Sequence, residues 1–182
     1  MGLNDEVGRR LKALRQARDL SLSELARRSG VGKGTLSELE SGSRNPTLET
    51  LYALTTALGS PLSAVLGDPP TGVAEGAGGV SGSAVTAVLL ERFEDDADDA
   101  AATDVFRVTI AQGAVQDSAA HVPHTTESLM VLSGTAVVGL PDELQSVGPG
   151  GHAHWNADVP HRYSAPHGAV HGILFVRYPK GG

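Results

Sequence analysis

The segment over residues 21–46 constrains the fold of this chain most strongly, because its pattern predicts two helices joined by a tight turn. Ser21 and Glu24 have the spacing of a capping box, which marks the start of a helix. A glycine six residues further on favours a turn. A second short helix then places Leu36 and Leu39 on its inner side at helical spacing. The segment therefore predicts a helix-turn-helix whose second helix has a polar outer face.

This segment resembles the lambda-repressor/Cro-like (XRE-type) DNA-binding domain of bacterial regulators. The resemblance implies that the second helix enters the major groove of double-stranded operator DNA. Its outward positions imply base contacts by Lys33, Gly34, Thr35 and Ser37, and Arg44 in the following loop would bind a phosphate. Two interpretations of Gly34 remain open: a tolerated loss of helix propensity, or a missing Cβ that lets DNA approach closely.

Leucine stripes on either side of this segment predict further helices. One is expected from about Asn4 to Arg18, another after Thr47, and a short fifth helix after Pro61. Five helices with short joints are sufficient for a compact all-helical domain, which we predict over residues 1–67. The charge distribution agrees with a nucleic-acid role for this part of the chain. Residues 1–68 carry a net charge of +1, whereas the remainder carries −8.

Composition excludes several classes of protein. The chain of 182 residues has no cysteine, so neither disulfide bonds nor thiolate metal sites can form. Its first ten residues lack the apolar stretch of a signal peptide, and no run of eighteen apolar residues follows. We therefore expect a cytoplasmic protein with no membrane partner.

The periodicity changes from helical to alternating after a predicted linker over residues 68–83, which is rich in glycine and contains Pro69 and Pro70. Over residues 84–182 the alternation predicts a β-sandwich or barrel. Its predicted strands are Ala84–Leu90, Val105–Ile110, Leu129–Leu132, Ala136–Leu140 and Ala169–Tyr178. The chain is thus expected to combine a helical domain with a separate β-domain.

The β-domain resembles a cupin, a jelly-roll barrel with two recurring motifs. His121 lies six residues before Glu127, and six residues separate Glu127 from Gly134, as in the first motif. His161 follows Gly150 at the spacing of the second motif. The fold class that the two resemblances imply is a multidomain α + β protein: a five-helix DNA-binding domain followed by a cupin jelly-roll barrel.

The cupin resemblance implies, by position, the metal ligands His121, Glu127 and His161. Such a ligand set suits Fe(II), Mn(II), Ni(II) or Zn(II). Pro123 stands where the family has a further histidine, and His124 follows it as a substitute if its loop lets it turn inward. Two alternatives therefore stay open: a divalent transition metal in the barrel, or a metal-free pocket, which we favour.

A cupin barrel is concave, and its inward side chains here predict a site for a small polar organic ligand. Tyr163 is two residues from His161 and hence on the same strand face, where its hydroxyl would serve the pocket. The predicted ligand-binding residues are His121, Glu127, Met130, His161 and Tyr163.

Together the two domains resemble one-component transcription regulators, in which a helical domain binds operator DNA and a barrel senses a small-molecule effector. One helical module contacts too few bases for a selective site, so we expect a homodimer on an inverted repeat. We expect no enzymatic activity. The alternatives are a metal-dependent cupin oxygenase or epoxidase with a vestigial helical domain, and a DNA-binding structural protein whose inert barrel dimerises.

Overall fold

The computed structural model of the protein describes residues 3–67, 79–94 and 101–179. The chain divides into two compact units, residues 1–68 and 69–182. The first is helical and the second is built of antiparallel strands, which confirms the predicted fold class. Residues 68–78 of the predicted linker lie outside the described residues. Val80 and Ser81, near its end, instead form a short strand.

The helical unit contains five helices among its described residues. They are α1 (Leu3–Ala17), α2 (Leu22–Ser29), α3 (Lys33–Glu40), α4 (Leu48–Ala57) and α5 (Ser63–Leu66). Side-chain caps explain where two of them begin. Ser21 Oγ accepts a hydrogen bond from Glu24 N at 3.1 Å, and Thr47 Oγ1 accepts one from Thr50 N at 3.2 Å. Gly30, with φ of 71°, ends α2 in the left-handed conformation that glycine adopts most easily.

The position of α3 is fixed by a buried leucine core and by one ion pair to α1. Leu36 and Leu39 are 0% and 2% exposed and belong to that core. Arg15 Nε and Nη2 donate to the two carboxylate oxygens of Glu40 at 2.6 and 2.7 Å. Both side chains are largely buried, so this bidentate pair is geometrically specific. With the inner side of α3 held in this way, its outer side faces solvent.

The β-unit contains ten strands among its described residues. They are β1 (Val80–Ser81), β2 (Val85–Glu94), β3 (Ala102–Ile110), β4 (Val115–Ser118), β5 (Thr126–Ser133), β6 (Ala136–Leu140), β7 (Glu143–Val147), β8 (His152–Asn156), β9 (His161–Ser164) and β10 (Val170–Tyr178). The strands form a six-stranded sheet in the order β1-β2-β3-β10-β5-β8 and a four-stranded sheet in the order β4-β9-β6-β7. This is a cupin-like β-sandwich.

Alternating burial along the strands separates an inner from an outer side of each sheet. On β10 the residues at 170, 172, 174, 176 and 178 are buried, and on β9 those at 161 and 163. Strand β8 runs beside β5, with Trp155 opposite Glu127 and Ala153 opposite Leu129. The inner side chains of both sheets meet between them. No helix in the described part of the chain is long and apolar enough to cross a membrane.

Candidate functional site

The outer side of α3 is polar and accessible over its whole length. It is formed by Lys33, Gly34, Ser37 and Glu38, all of which are exposed. Thr35 is half-buried, so only part of its side chain reaches this surface. A Cβ added to Gly34 would meet no atom within 4 Å, so the helix backbone is open to solvent there. The sequence-predicted contacts on α3 thus share one surface, with Thr35 at its margin.

Arg44 lies in the loop after α3 and contacts the same surface. Its Nη1 donates to Glu38 Oε2 at 3.0 Å, and both side chains are about half exposed. The loop folds back because Ser41 Oγ and Ser43 Oγ donate to the Glu38 carbonyl oxygen at 3.0 and 3.1 Å. Glu38 therefore belongs to this surface, although it was not among the predicted DNA contacts. Its outward position at helical spacing was the available signal.

A second group of functional side chains lies between the sheets of the β-unit. His121 follows β4, Glu127 belongs to β5 and His161 opens β9, and all three are buried. His121 Nε2 is 3.0 Å from Glu127 Oε1, and His161 Nε2 is 3.4 Å from Glu127 Oε2. One nitrogen or oxygen from each residue lies within 4.8 Å of the others. The fold thus assembles the three residues that the cupin spacing implied as ligands.

Two other residues considered in the sequence analysis lie elsewhere. Met130 is three positions from Glu127 on β5, so the two side chains face opposite sides of the sheet, and Met130 is 46% exposed. The expectation that Met130 lines the pocket is therefore wrong. His124 is exposed, has a φ of 64° and donates its backbone N–H to Asp158 Oδ2 at 2.8 Å. It does not belong to the buried group.

Tyr163 joins the buried group through Glu127. Its hydroxyl donates a hydrogen bond to Glu127 Oε2. Burial raises the pKa of Tyr163 well above its ordinary value, and the neighbouring Glu127 carboxylate raises it further. Burial also raises the pKa of Glu127, but the charge of His161 and the hydrogen bond from His121 lower it more, so its net shift is downward. Glu127 is thus held as a carboxylate.

Trp155 closes one side of this group and was not predicted as part of the site. Its ring lies 5.7 Å from that of Tyr163 and 6.3 Å from that of His161, measured between centroids. The His161 and Tyr163 rings are 5.6 Å apart and nearly perpendicular, at 73°. The carboxylate therefore sits in a largely aromatic enclosure, in which polar interactions are stronger than in water.

The donor atoms fit a divalent metal ion. The Val159 carbonyl accepts from His161 Nδ1 at 2.9 Å, so Nδ1 carries a proton and Nε2 is the ring nitrogen that faces Glu127. That buried Nε2 makes no hydrogen bond within the described residues, although it faces a carboxylate oxygen. Two acceptors this close need a cation between them, either a proton or a metal ion. His121, Glu127 and His161 would hold the metal, with the Nε2 proton of His121 displaced.

The sequence matches known proteins over both units. Residues 11–65 match the family HTH_3, described as helix-turn-helix. The chain is similar to the HTH-type transcriptional regulator SutR of Escherichia coli (strain K12), with 29% identity over 171 residues that cover 93% of each chain. It is 44% identical over 59 residues to y4dJ of Sinorhizobium fredii, an uncharacterized HTH-type transcriptional regulator. That match covers 32% of this chain and 77% of y4dJ.

One solved structure shares the fold of almost the whole chain. It is an HTH_3 family transcriptional regulator from Vibrio cholerae, which is 24% identical in sequence. The similarity covers 98% of each chain, with a TM-score of 0.80. A helical unit followed by a β-sandwich of this kind is therefore an architecture that occurs in another protein.

Proposed function

Because this chain belongs to the helix-turn-helix (XRE-type) family of transcriptional regulators, with a cupin-like unit after its helical unit, we propose that it binds operator DNA as a cytoplasmic homodimer and responds to a small-molecule effector. The proposal assigns DNA binding to the helical unit and effector binding to the β-unit. It treats the protein as a regulator and not as an enzyme.

The observation that carries the DNA-binding proposal is the exposed surface of α3 together with Arg44. Lys33 has the length and charge to donate to a guanine edge, and Ser37 lies one turn further along the same side. Gly34 between them leaves room for the phosphate–sugar backbone or a base edge. Arg44 at the end of this surface would bind a phosphate, which positions the helix without specifying sequence.

Selection of bound fragments from random double-stranded DNA, followed by titration by fluorescence anisotropy, tests this proposal. Arg44→Ala should weaken binding to every sequence and lower the slope of log affinity against log salt by about one. Lys33→Ala should instead lose about 1–3 kcal/mol of discrimination at one base-pair position. Arg177→Ala, which removes the same charge from an exposed position on β10, is the matched control and should change neither quantity. Wild-type binding by the Arg44 and Lys33 variants would exclude this surface.

We assign effector binding to the β-unit because its buried polar group has an unusual composition for a structural core. A carboxylate, two imidazoles and a phenol hydroxyl meet there between apolar walls. Buried polar groups of this kind are costly unless they are fully paired or serve a ligand. His121, Glu127, His161 and Tyr163 are the residues that we propose for the effector or for a metal that binds it.

The homodimer is proposed from the geometry of helix-turn-helix recognition. Two copies of α3 would enter successive major grooves about 34–36 Å apart on an inverted repeat. Light scattering at micromolar concentration, with and without the selected DNA, measures the mass of the particle. A monomer under both conditions would contradict the proposal.

A metal-dependent oxygenase remains the second candidate, because the group of two histidines and one carboxylate suits iron. Bound iron would supply the redox chemistry with oxygen, while the residues of this chain would only hold and orient it. Oxygen uptake by the Fe(II)-loaded protein, combined with failure to select any DNA sequence, would favour this candidate over the regulator.

A further inference from the structure

The outer side of the six-stranded sheet carries a group of apolar side chains at its centre, where β10 lies between β3 and β5. Ile173 and Phe175 point outward from β10, because they alternate with the buried positions of that strand. Met130 and Leu132 point outward from β5 in the same way. Ile173 is directly opposite Met130 in the sheet. These four side chains therefore form one continuous surface, the outer apolar patch.

The exposure of the outer apolar patch distinguishes it from the rest of the described chain. Leu132, Met130 and Phe175 are 57%, 46% and 37% exposed. The described residues of the helical unit include no large apolar side chain that is exposed to this degree. The outer side of the four-stranded sheet carries an ion pair instead, in which Arg162 Nε and Nη2 donate to the two carboxylate oxygens of Asp117 at 2.6 and 3.2 Å. Apolar side chains gathered on one sheet face indicate a surface that another protein covers.

The size and layout of this sheet face suit a second copy of the chain. Five strands of five residues or more follow one another in the order β2-β3-β10-β5-β8, so β10 is central. At about 4.8 Å per strand and about 3.4 Å per residue, the five strands and the outward positions 171–177 define a face of about 24 by 20 Å. Two such faces bury about 1,000 Å² together, which is the lower limit for a specific interface. Because β10 has two strands on each side, two copies can cover each other around one two-fold axis.

Polar side chains surround the outer apolar patch. Arg107 on β3 lies beside Ile173, Arg177 on β10 lies beyond Phe175, and His152 stands on the edge strand β8. An apolar centre with a polar rim is typical of interfaces between protein chains. Charges at such a rim contribute little to affinity, so removal of one of them leaves the association of the two copies intact.

We propose that two copies of this chain associate through the outer apolar patch, with β10 of one copy over β10 of its partner. This inference rests on the homodimer of the proposed function and adds the surface that forms it. Glu127 and Met130 lie on opposite sides of β5, so the buried group and the patch share a strand. A ligand that moves Glu127 therefore also moves part of the contact between the two copies.

Sedimentation velocity over a micromolar range of protein concentration measures this association. The wild type should form a dimer with a Kd of the order of micromolar, because the face is at the lower limit of size. Phe175→Glu and Met130→Glu each place a charge in the patch at an exposed position, and each should raise the Kd at least about tenfold. Val115→Glu is the matched control, because Val115 is 51% exposed on the outer side of the four-stranded sheet.

The control variant should associate as the wild type does. A wild type that stays monomeric over this range would overturn the proposal. So would dimers of wild-type affinity in both patch variants, or equal weakening by Val115→Glu, since either result would place the contact elsewhere.

The absence of cysteine from the chain allows a second measurement that does not depend on a loss of affinity. Sheets packed face to face are about 10 Å apart, which favours a short bismaleimide over a disulfide as the link between copies. Phe175→Cys, on the central strand, should be cross-linked to a covalent dimer. Val115→Cys should stay mostly monomeric under the same conditions, and equal cross-linking of the two variants would contradict the assignment.

These results separate the inference from the proposed function. A homodimer that forms equally well in the patch variants would leave the homodimer standing and defeat only the patch. A wild type that dimerises through the patch but selects no DNA sequence would leave the patch standing and defeat the regulator.

Discussion

At the scale of single residues, the Glu38–Arg44 pair places a carboxylate on the surface that we propose for DNA. The pair is half exposed, and such pairs contribute little to stability, so it can open when a phosphate competes for Arg44. Glu38→Gln removes the competitor and the repulsion of phosphates. We expect it to raise DNA affinity by up to about fivefold, equivalent to about 1 kcal/mol.

The gain from Glu38→Gln should be similar for all sequences, measured by anisotropy on selected and on unrelated duplexes. In the Arg44→Ala background most of the gain in affinity should disappear, because there is then no Arg44 guanidinium for the loss of the Glu38 carboxylate to free. A change confined to one base-pair position would instead identify Glu38 as a residue that accepts a hydrogen bond from a base.

Metal binding is a second property decided by single side chains. Zn(II) bound after equilibrium dialysis, measured by atomic absorption, should fall at least about tenfold in His161→Ala. His154→Ala is the matched control, because His154 is exposed and its Nδ1 is hydrogen-bonded to Ser128 Oγ, away from the buried group. If His154→Ala lost the metal and His161→Ala kept it, the site would lie on the outer face of β8 instead.

The sequence predicted some of these residues and missed others for a geometric reason. His121, Glu127 and His161 were predicted as ligands from motif spacing. That spacing determines where the ligands meet even when other motif residues are replaced. Met130 was predicted to line the pocket because it is apolar, although its three-residue separation from Glu127 puts it on the opposite face of the sheet. Trp155 was missed because β8 and β9, although consecutive in the chain, belong to different sheets, and its place beside Tyr163 depends on how those sheets pack.

At the scale of elements, two glycines test how helices approach their neighbours. A Cβ at Gly8 of α1 would overlap the carbonyl oxygen of Leu39 in α3, so Gly8→Ala must push these helices apart. We expect it to lower the free energy of unfolding by about 1–3 kcal/mol in urea denaturation. An unchanged denaturation midpoint would show that α1 and α3 are less closely packed than described.

Gly34→Ala is the opposite case, because no atom lies within 4 Å of the added Cβ. Better helix propensity should raise the free energy of unfolding by up to about 1 kcal/mol. If the missing Cβ serves close approach to DNA, this more stable variant should bind operator more weakly. A variant that is more stable and binds equally well would make Gly34 a tolerated defect.

The strands show where periodicity suffices as a predictor and where it fails. Ala136–Leu140 was predicted with its exact bounds, because it is apolar and ends at a turn. Strands β4 and β7 were not predicted, since Val115–Ser118 and Glu143–Val147 are largely polar and have no continuous apolar side. Such short polar strands form because a neighbour offers backbone hydrogen bonds. That neighbour is β9, distant in sequence, for β4, and the preceding strand β6 for β7.

At the scale of the whole molecule, the helical and the β-rich parts of the chain differ in net charge. Residues 1–68 carry +1 and the remainder −8, so DNA attracts one part of the chain and repels the other. The glycine-rich composition of the sequence between them predicts a linker and not a rigid lever. Under the proposed function, an effector in the β-unit therefore acts on operator affinity through the homodimer, by changing the spacing of its two copies of α3.

This coupling has a measurable consequence that links the two units. A coupling free energy of about 1–3 kcal/mol changes operator affinity by roughly five- to 150-fold, and DNA must change effector affinity by the same factor. Calorimetric titration of Zn(II) into the protein with and without selected operator DNA measures that factor from the side of a ligand of the His121–Glu127–His161 group. Equal Zn(II) affinities with and without DNA would mean that occupancy of the His121–Glu127–His161 group does not regulate DNA binding.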